Sequence, residues 1–173
     1  GASPRPAFAA GDDPGLRRLN VGPYEVRTSA ARIVENFLDM AHFGFVHEGW
    51  LGDREHAAVA AYRIDVTADG FVASDCAAWQ PRSNRVAAVG STVAYRYEVV
   101  APFTALLRKL PERQEGSCDE IALFVCPVDE ELSRVWFRLA VTDHASTDDE
   151  LRAFQHAIFA QDRPVLGATV DLD

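Results

Sequence analysis

Residues 58–142 read as a succession of short alternating apolar and polar segments divided by turn signals. A stretch of that kind buries its apolar side as an antiparallel sheet. Residues 58–67 and 71–80 flank Ala68-Asp69-Gly70, and Asp-Gly is a hairpin signal. Residues 91–101 alternate and carry Tyr95 and Tyr97, and residues 119–126 and 133–142 pair around the acidic turn Asp129-Glu130-Glu131. Residues 104–110 form a bridging segment whose type the pattern leaves open, and a first short strand is expected over residues 21–27.

Two helical patterns bracket these strands. Residues 30–42 follow the capping pair Thr28-Ser29 and place Ile33, Phe37 and Met40/Ala41 at helical spacing. The second helix is capped by Ser146/Thr147. Asp148, Asp149 and Glu150 suit its N-terminal dipole, and Leu151, Phe154, Ile158 and Phe159 form its apolar stripe. Pro164 and Gly167 are expected to end it. A helix, about five or six antiparallel strands and a long C-terminal helix predict an α+β fold. One curved sheet takes the last helix across its concave face, with a cavity between the two. Residues 1–20, rich in Ala, Pro and Gly near their start, read as an N-terminal arm or linker, and residues 21–173 as one domain.

Charge narrows the partners. The chain has 17 Lys plus Arg against 26 Asp plus Glu and no basic cluster, which argues against nucleic acid. No apolar run approaches the roughly 20 residues that span a bilayer, and no signal-peptide core is seen, so a cytoplasmic protein is expected. Cys76, Cys118 and Cys126 lack paired spacing, which disfavours a disulfide framework or a cysteine-based cluster.

Residues 35–47, Glu-Asn-Phe-Leu-Asp-Met-Ala-His-Phe-Gly-Phe-Val-His, carry the chemistry. Asn36, Asp39 and His42 stand three apart, so on a helix each sits about 60° behind the last and all project from one broad side. His47 lies five residues after His42, about 140° off that face on a continuous helix. The two imidazoles meet one metal only if the helix breaks between them, and Gly44 is the expected break. With a carboxylate, two imidazoles make a facial triad that leaves positions open for dioxygen and substrate. Among Asp143, Asp148, Asp149 and Asp162, the last is the best choice. It lies four residues after Ile158, beside the buried stripe, where a carboxylate needs a cation. Taken singly, each of these residues has an ordinary explanation as a core histidine or a helix-surface acid; jointly they do not. His56, His144 and His156 read as turn, turn and helix surface.

At this segment the chain resembles the catalytic domain of Rieske non-haem iron oxygenases, closest to the vanillate O-demethylase and ring-hydroxylating branch. The family pattern is an acidic residue, three residues, Asp, two residues, His, four residues, His. Glu35, Asp39, His42 and His47 stand at those intervals. The resemblance implies a helix-grip fold, with mononuclear iron(II) on His42, His47 and Asp162 and with Asn36 close to the metal. It implies that Asp39 links an iron-binding histidine to the Rieske cluster of a neighbouring subunit. It further implies dioxygen and an apolar or aromatic substrate, hydroxylation or O-demethylation, a ferredoxin or flavin reductase, and a homotrimer. The family's Cys-x-His and Cys-x-x-His cluster motifs do not occur here. The [2Fe–2S] cluster is therefore expected on a missing domain or partner, and the chain reads as an excised catalytic domain, inactive alone.

Two other classes compete. A helix-grip module could bind an apolar ligand without metal, and zinc accepts the same two histidines and carboxylate in hydrolytic sites. Phe43, Trp79, Tyr95, Phe124 and Trp136 are candidate cavity residues, each equally compatible with a core role.

Overall fold

The computed structural model of the protein describes residues 8–81, 90–110 and 118–167. Residues 1–7 of the expected arm lie outside this set. Seven strands form one antiparallel sheet: β1 (Arg17–Val26), β2 (Arg63–Val66), β3 (Phe71–Gln80), β4 (Ser91–Ala101), β5 (Thr104–Leu110), β6 (Glu120–Pro127) and β7 (Ser133–Val141). Their order is β1-β7-β6-β5-β4-β3-β2. Three helices accompany them: α1 (Ala30–Leu38), the single turn α2 (Phe43–Val46) and α3 (Asp148–Leu166). Among the described residues this is the α+β arrangement expected, with one or two strands more than the five or six that the sequence pattern predicts.

The first strand pairs with the last, Arg17 opposite Val141 and Val26 opposite Ser133. It begins at Arg17, inside the stretch assigned to the arm, because Leu19 and Val21 bring their side chains onto the apolar face shared with Phe137 and Leu139. Gly22-Pro23 interrupts the register between Val21 and Tyr24, and a proline there has no N–H to give to the ladder. Strand β2 covers only Arg63–Val66 of the expected 58–67, every residue exposed. Residues 104–110 are a full strand, β5, paired with both β4 and β6.

One face of the sheet is closed by α1 and α3. Leu19, Val21, Leu123, Val135 and Phe137 meet Ile33 of α1 and Leu151 and Phe159 of α3 in the main core. A second cluster joins Met40 and Phe43 to Cys76, Val93, Tyr95 and Tyr97. The helix α3 starts at a capping box in which the Thr147 hydroxyl accepts from Glu150 N and Glu150 reaches back to Thr147 N. Its buried positions are Leu151, Gln155, Ile158, Phe159, Asp162 and Leu166, so the carboxylate of Asp162 sits on the apolar stripe itself. Phe154 does not belong to that stripe: it is partly exposed and touches Trp50 (ring centroids 5.7 Å apart). Pro164 does not end the helix. Lying in the last turn, it forfeits a single backbone bond, and the helix runs on to Leu166 with Gly167 N donating to Arg163 O.

Two of the five candidate cavity residues lie on the wrong side. Phe124 and Trp136 are paired across β6 and β7. They alternate with Leu123, Val135 and Phe137 of the core, so they face away from the helices. Trp79 is stacked on His56 (4.2 Å). Phe43 and Tyr95 pack inside. Clefts of about 400 Å³ and about 270 Å³ lie at the β1–α3 end and beneath the N-terminal segment, and neither is lined by His42, His47 or Asp162.

Candidate metal centre

The helix expected over 30–42 ends four residues early, and a second, single-turn helix follows it at 43–46. The first, α1, stops at Leu38, and Asp39 takes an extended conformation (φ −79°, ψ 126°). The break therefore falls at Asp39, not at Gly44. Its cause is local: Asp39 Oδ1 accepts from Ala41 N at 2.8 Å, a turn that competes with continued helix. The chain then enters α2, with His42 at its N-terminal flank and His47 at its C-terminal flank. The five-residue spacing thus brackets one helical turn, and the two rings lie 5.0 Å apart at 63°.

Gly44 has a different task from the one expected. A Cβ on it would lie 2.5 Å from Asp53 O, and one on Gly52 would lie 2.8 Å from the Phe43 carbonyl carbon. The backbone of residues 48–57 packs directly onto α2 at these two glycines. His56, hydrogen-bonded to Asp53 and stacked on Trp79, anchors the same loop to β3. Gly44→Ala is expected to force the loop off α2. The cost should be about 1–3 kcal/mol of stability, read by urea unfolding, with weakened metal binding because both histidines flank the displaced turn.

His42, His47 and Asp162 are the one group of three among the described residues whose donor atoms converge, all within 4.8 Å of one another. Asp162 Oδ1 lies 3.1 Å from His47 Nε2 and 3.5 Å from His42 Nε2. Donors about 2.0–2.2 Å from one ion, at the right-angle or tetrahedral spread, stand about 2.8–3.6 Å from one another. Both separations from Asp162 fit a single metal. His47 is 1% exposed and Asp162 6%.

The contacts to Asp162 are not hydrogen bonds. Its Oδ1 is buried without a hydrogen-bond partner despite the imidazoles beside it. Burial pushes the pKa of His42 down, and the neighbouring His47 adds to this against the opposing pull of Asp162 and Asp39. The ring is thus held towards its neutral form, the form that ligates. The outer nitrogens explain the rest. His42 Nδ1 faces Asp39 Oδ2 at 3.1 Å, and His47 Nδ1 faces Gln161 Oε1 at 2.8 Å. With Nδ1 donating to these acceptors, both Nε2 atoms turn bare lone pairs towards a carboxylate oxygen. Three lone pairs converging in a buried space require a cation.

Asp39 bridges inside and outside: its side chain is 46% exposed, whereas that of the His42 it holds is 12% exposed. Asn36, two residues before the end of α1, is half-buried, and no hydrogen bond ties its side chain to the triad among the described residues. Glu35 is exposed and paired with Arg32. His144 contacts Gly15 O, and His156 lies against Tyr24. The residue that sequence reasoning missed is Gln161. It is half-buried and next to Asp162, and nothing in the local sequence ties it to a histidine.

Comparison with known proteins gives the chain its family and fold. The family model for the vanillate O-demethylase oxygenase C-terminal domain matches residues 26–170. A probable methylxanthine N7-demethylase, NdmC, of Pseudomonas sp. (strain TJI-51) is 40% identical over 163 residues, 93% of this chain and 57% of that protein. The methylxanthine N1-demethylase NdmA of Pseudomonas putida is 30% identical over 93% of the chain and 45% of its own length. The chain thus spans about half the length of the curated relatives it matches. The solved structure of NdmA from P. putida CBB5 with caffeine superposes with a TM-score of 0.77 at 26% identity, over 97% of this chain and 48% of that one. Dicamba monooxygenase bound to dicamba shares the fold (TM-score 0.71, 17% identity, 96% of this chain and 52% of that one). The motif, the fold and the matched span place the chain in one family: it belongs to the vanillate O-demethylase oxygenase C-terminal domain family, among the Rieske oxygenases.

Proposed function

We propose that this chain is the catalytic domain of an oxidative demethylase, holding one iron(II) on His42, His47 and Asp162. The observation that carries the reading is the buried, unpartnered Asp162 Oδ1 facing two imidazole nitrogens. Iron(II) bound there supplies dioxygen activation, as a two-histidine, one-carboxylate set with open positions does. The chain's own residues hold both rings with Nε2 inward, exclude water at His47, and leave Asp39 half-exposed beside His42. That placement supports the approach of an electron-donating [2Fe–2S] domain from a neighbouring subunit, itself supplied by a reductase.

The substrate class is drawn from the two sequence relatives, a probable methylxanthine N7-demethylase and a methylxanthine N1-demethylase. We infer a planar N-methylated heteroaromatic compound. The methyl C–H is hydroxylated by one atom of dioxygen, two electrons and two protons convert the other atom to water, and the hydroxymethyl group leaves as formaldehyde with a proton left on nitrogen. The test uses the full-length protein with its reductase and a methylxanthine panel, measuring formaldehyde against oxygen consumed. Equimolar formaldehyde and oxygen uptake is the expected result. Saturable ligand binding that needs no metal, with neither product, would instead favour the metal-free helix-grip binding module.

A further inference from the structure

The two histidines of the triad are held in unlike ways. His42 Nδ1 meets a carboxylate, Asp39, whose side chain is 46% exposed. His47 Nδ1 meets the neutral amide of Gln161, 2.8 Å away, on the helix turn that also presents Asp162. His47 is almost wholly buried. A second carboxylate against it would be desolvated beside Asp162, whereas an amide accepts the same proton without adding charge. The half-exposed Asp39 keeps water around its own charge and escapes that cost.

We propose that Gln161 is a positioning residue that fixes the tautomer of His47, keeping the proton on Nδ1 and Nε2 bare for the metal. The inference rests on the triad reading above. Gln161 Oε1 can only accept, so Nδ1 donates, and in the neutral ring that leaves Nε2 free. The alternative amide orientation would turn N–H groups towards Nδ1, move the proton to Nε2 and block the ligand atom. Because Gln161 and Asp162 are consecutive, one helix supplies both the carboxylate ligand and the group that aims the histidine facing it. Partners of this kind are worth about 10–100-fold in metal affinity.

The test compares the native protein with Gln161→Leu, which removes the acceptor, and Gln161→Glu, which keeps one. Zinc(II) serves as a diamagnetic probe and iron(II) as the second metal. Gln161→Leu should weaken binding of both metals about 10–100-fold, whereas Gln161→Glu, which keeps the acceptor and places the cost of its charge on the metal-free protein, should bind metal at least as tightly as native. In the zinc-loaded native protein, nitrogen-15 imidazole NMR should show His47 metallated at Nε2, with a slowly exchanging Nδ1–H that disappears in Gln161→Leu. Native-like affinity and a retained, slowly exchanging Nδ1–H in Gln161→Leu would overturn the inference. So would a native spectrum with the proton on Nε2, a measurement that needs no variant to fold. If zinc binds and Asp162→Ala abolishes it while Gln161→Leu does nothing, only the role of Gln161 falls. If the native protein binds no metal at these residues, the triad reading itself falls.

Discussion

Asp162→Asn is expected to remove metal binding while leaving the metal-free protein at least as stable as native. Removing one charged member of a buried set costs about 3–5 kcal/mol of interaction, and each 1.4 kcal/mol is tenfold, so affinity should fall by about 10²–10³-fold or more. The stability effect has the opposite sign. Without metal, Asp162 Oδ1 is unpartnered and faces two bare Nε2 atoms. An asparagine amide offers them N–H groups and carries no charge to desolvate, a gain of about 1 kcal/mol per hydrogen bond made. Metal titration and urea unfolding at pH 8 check the pair of effects. Equal loss of stability and of binding would show that Asp162 merely supports the fold.

The second large effect belongs to Asp39. Asp39→Ala removes the acceptor from His42 Nδ1 and the turn that holds Ala41 N. A weakening of metal binding by about 10–100-fold is expected, which excess iron restores. Under the proposed function, turnover should remain down by on the order of 100-fold at equal iron occupancy, because the half-exposed carboxylate beside His42 is then the group that faces the electron donor. Steady-state demethylation and single-turnover oxidation, each normalised to bound iron, separate the two effects. Full recovery of turnover on iron addition would confine Asp39 to holding His42.

How far the residues disclosed this arrangement differs from element to element. The hairpin at Asp69-Gly70 and the β6–β7 pair were legible because alternation and turn chemistry agree there. The last helix was legible from its capping box. Its end was misjudged because a proline in the final turn disrupts little. Strand β2 came out shorter than its pattern: an edge strand with every residue exposed has no burial to enforce its length. The metal centre was legible as an interval. The five-residue gap between His42 and His47 was read as demanding a break between them; the break instead lies upstream, at Asp39, and the two histidines bracket the single turn α2, with Gly44 inside it. Gly44 is there because the following loop lies against its backbone. Gln161 was the hardest to read. Nothing local distinguishes a helix amide that accepts from a histidine more than a hundred positions away, and only the tertiary fold brings them to 2.8 Å.

One measurement tests the central claim most directly: anaerobic equilibrium dialysis of the purified protein against iron(II), with bound iron counted per chain. The account predicts one tightly held iron in the native protein and none in His42→Ala or His47→Ala at the same free concentration, each variant keeping its circular dichroism. A native protein without bound iron, or histidine variants that bind it as the native does, would contradict the account.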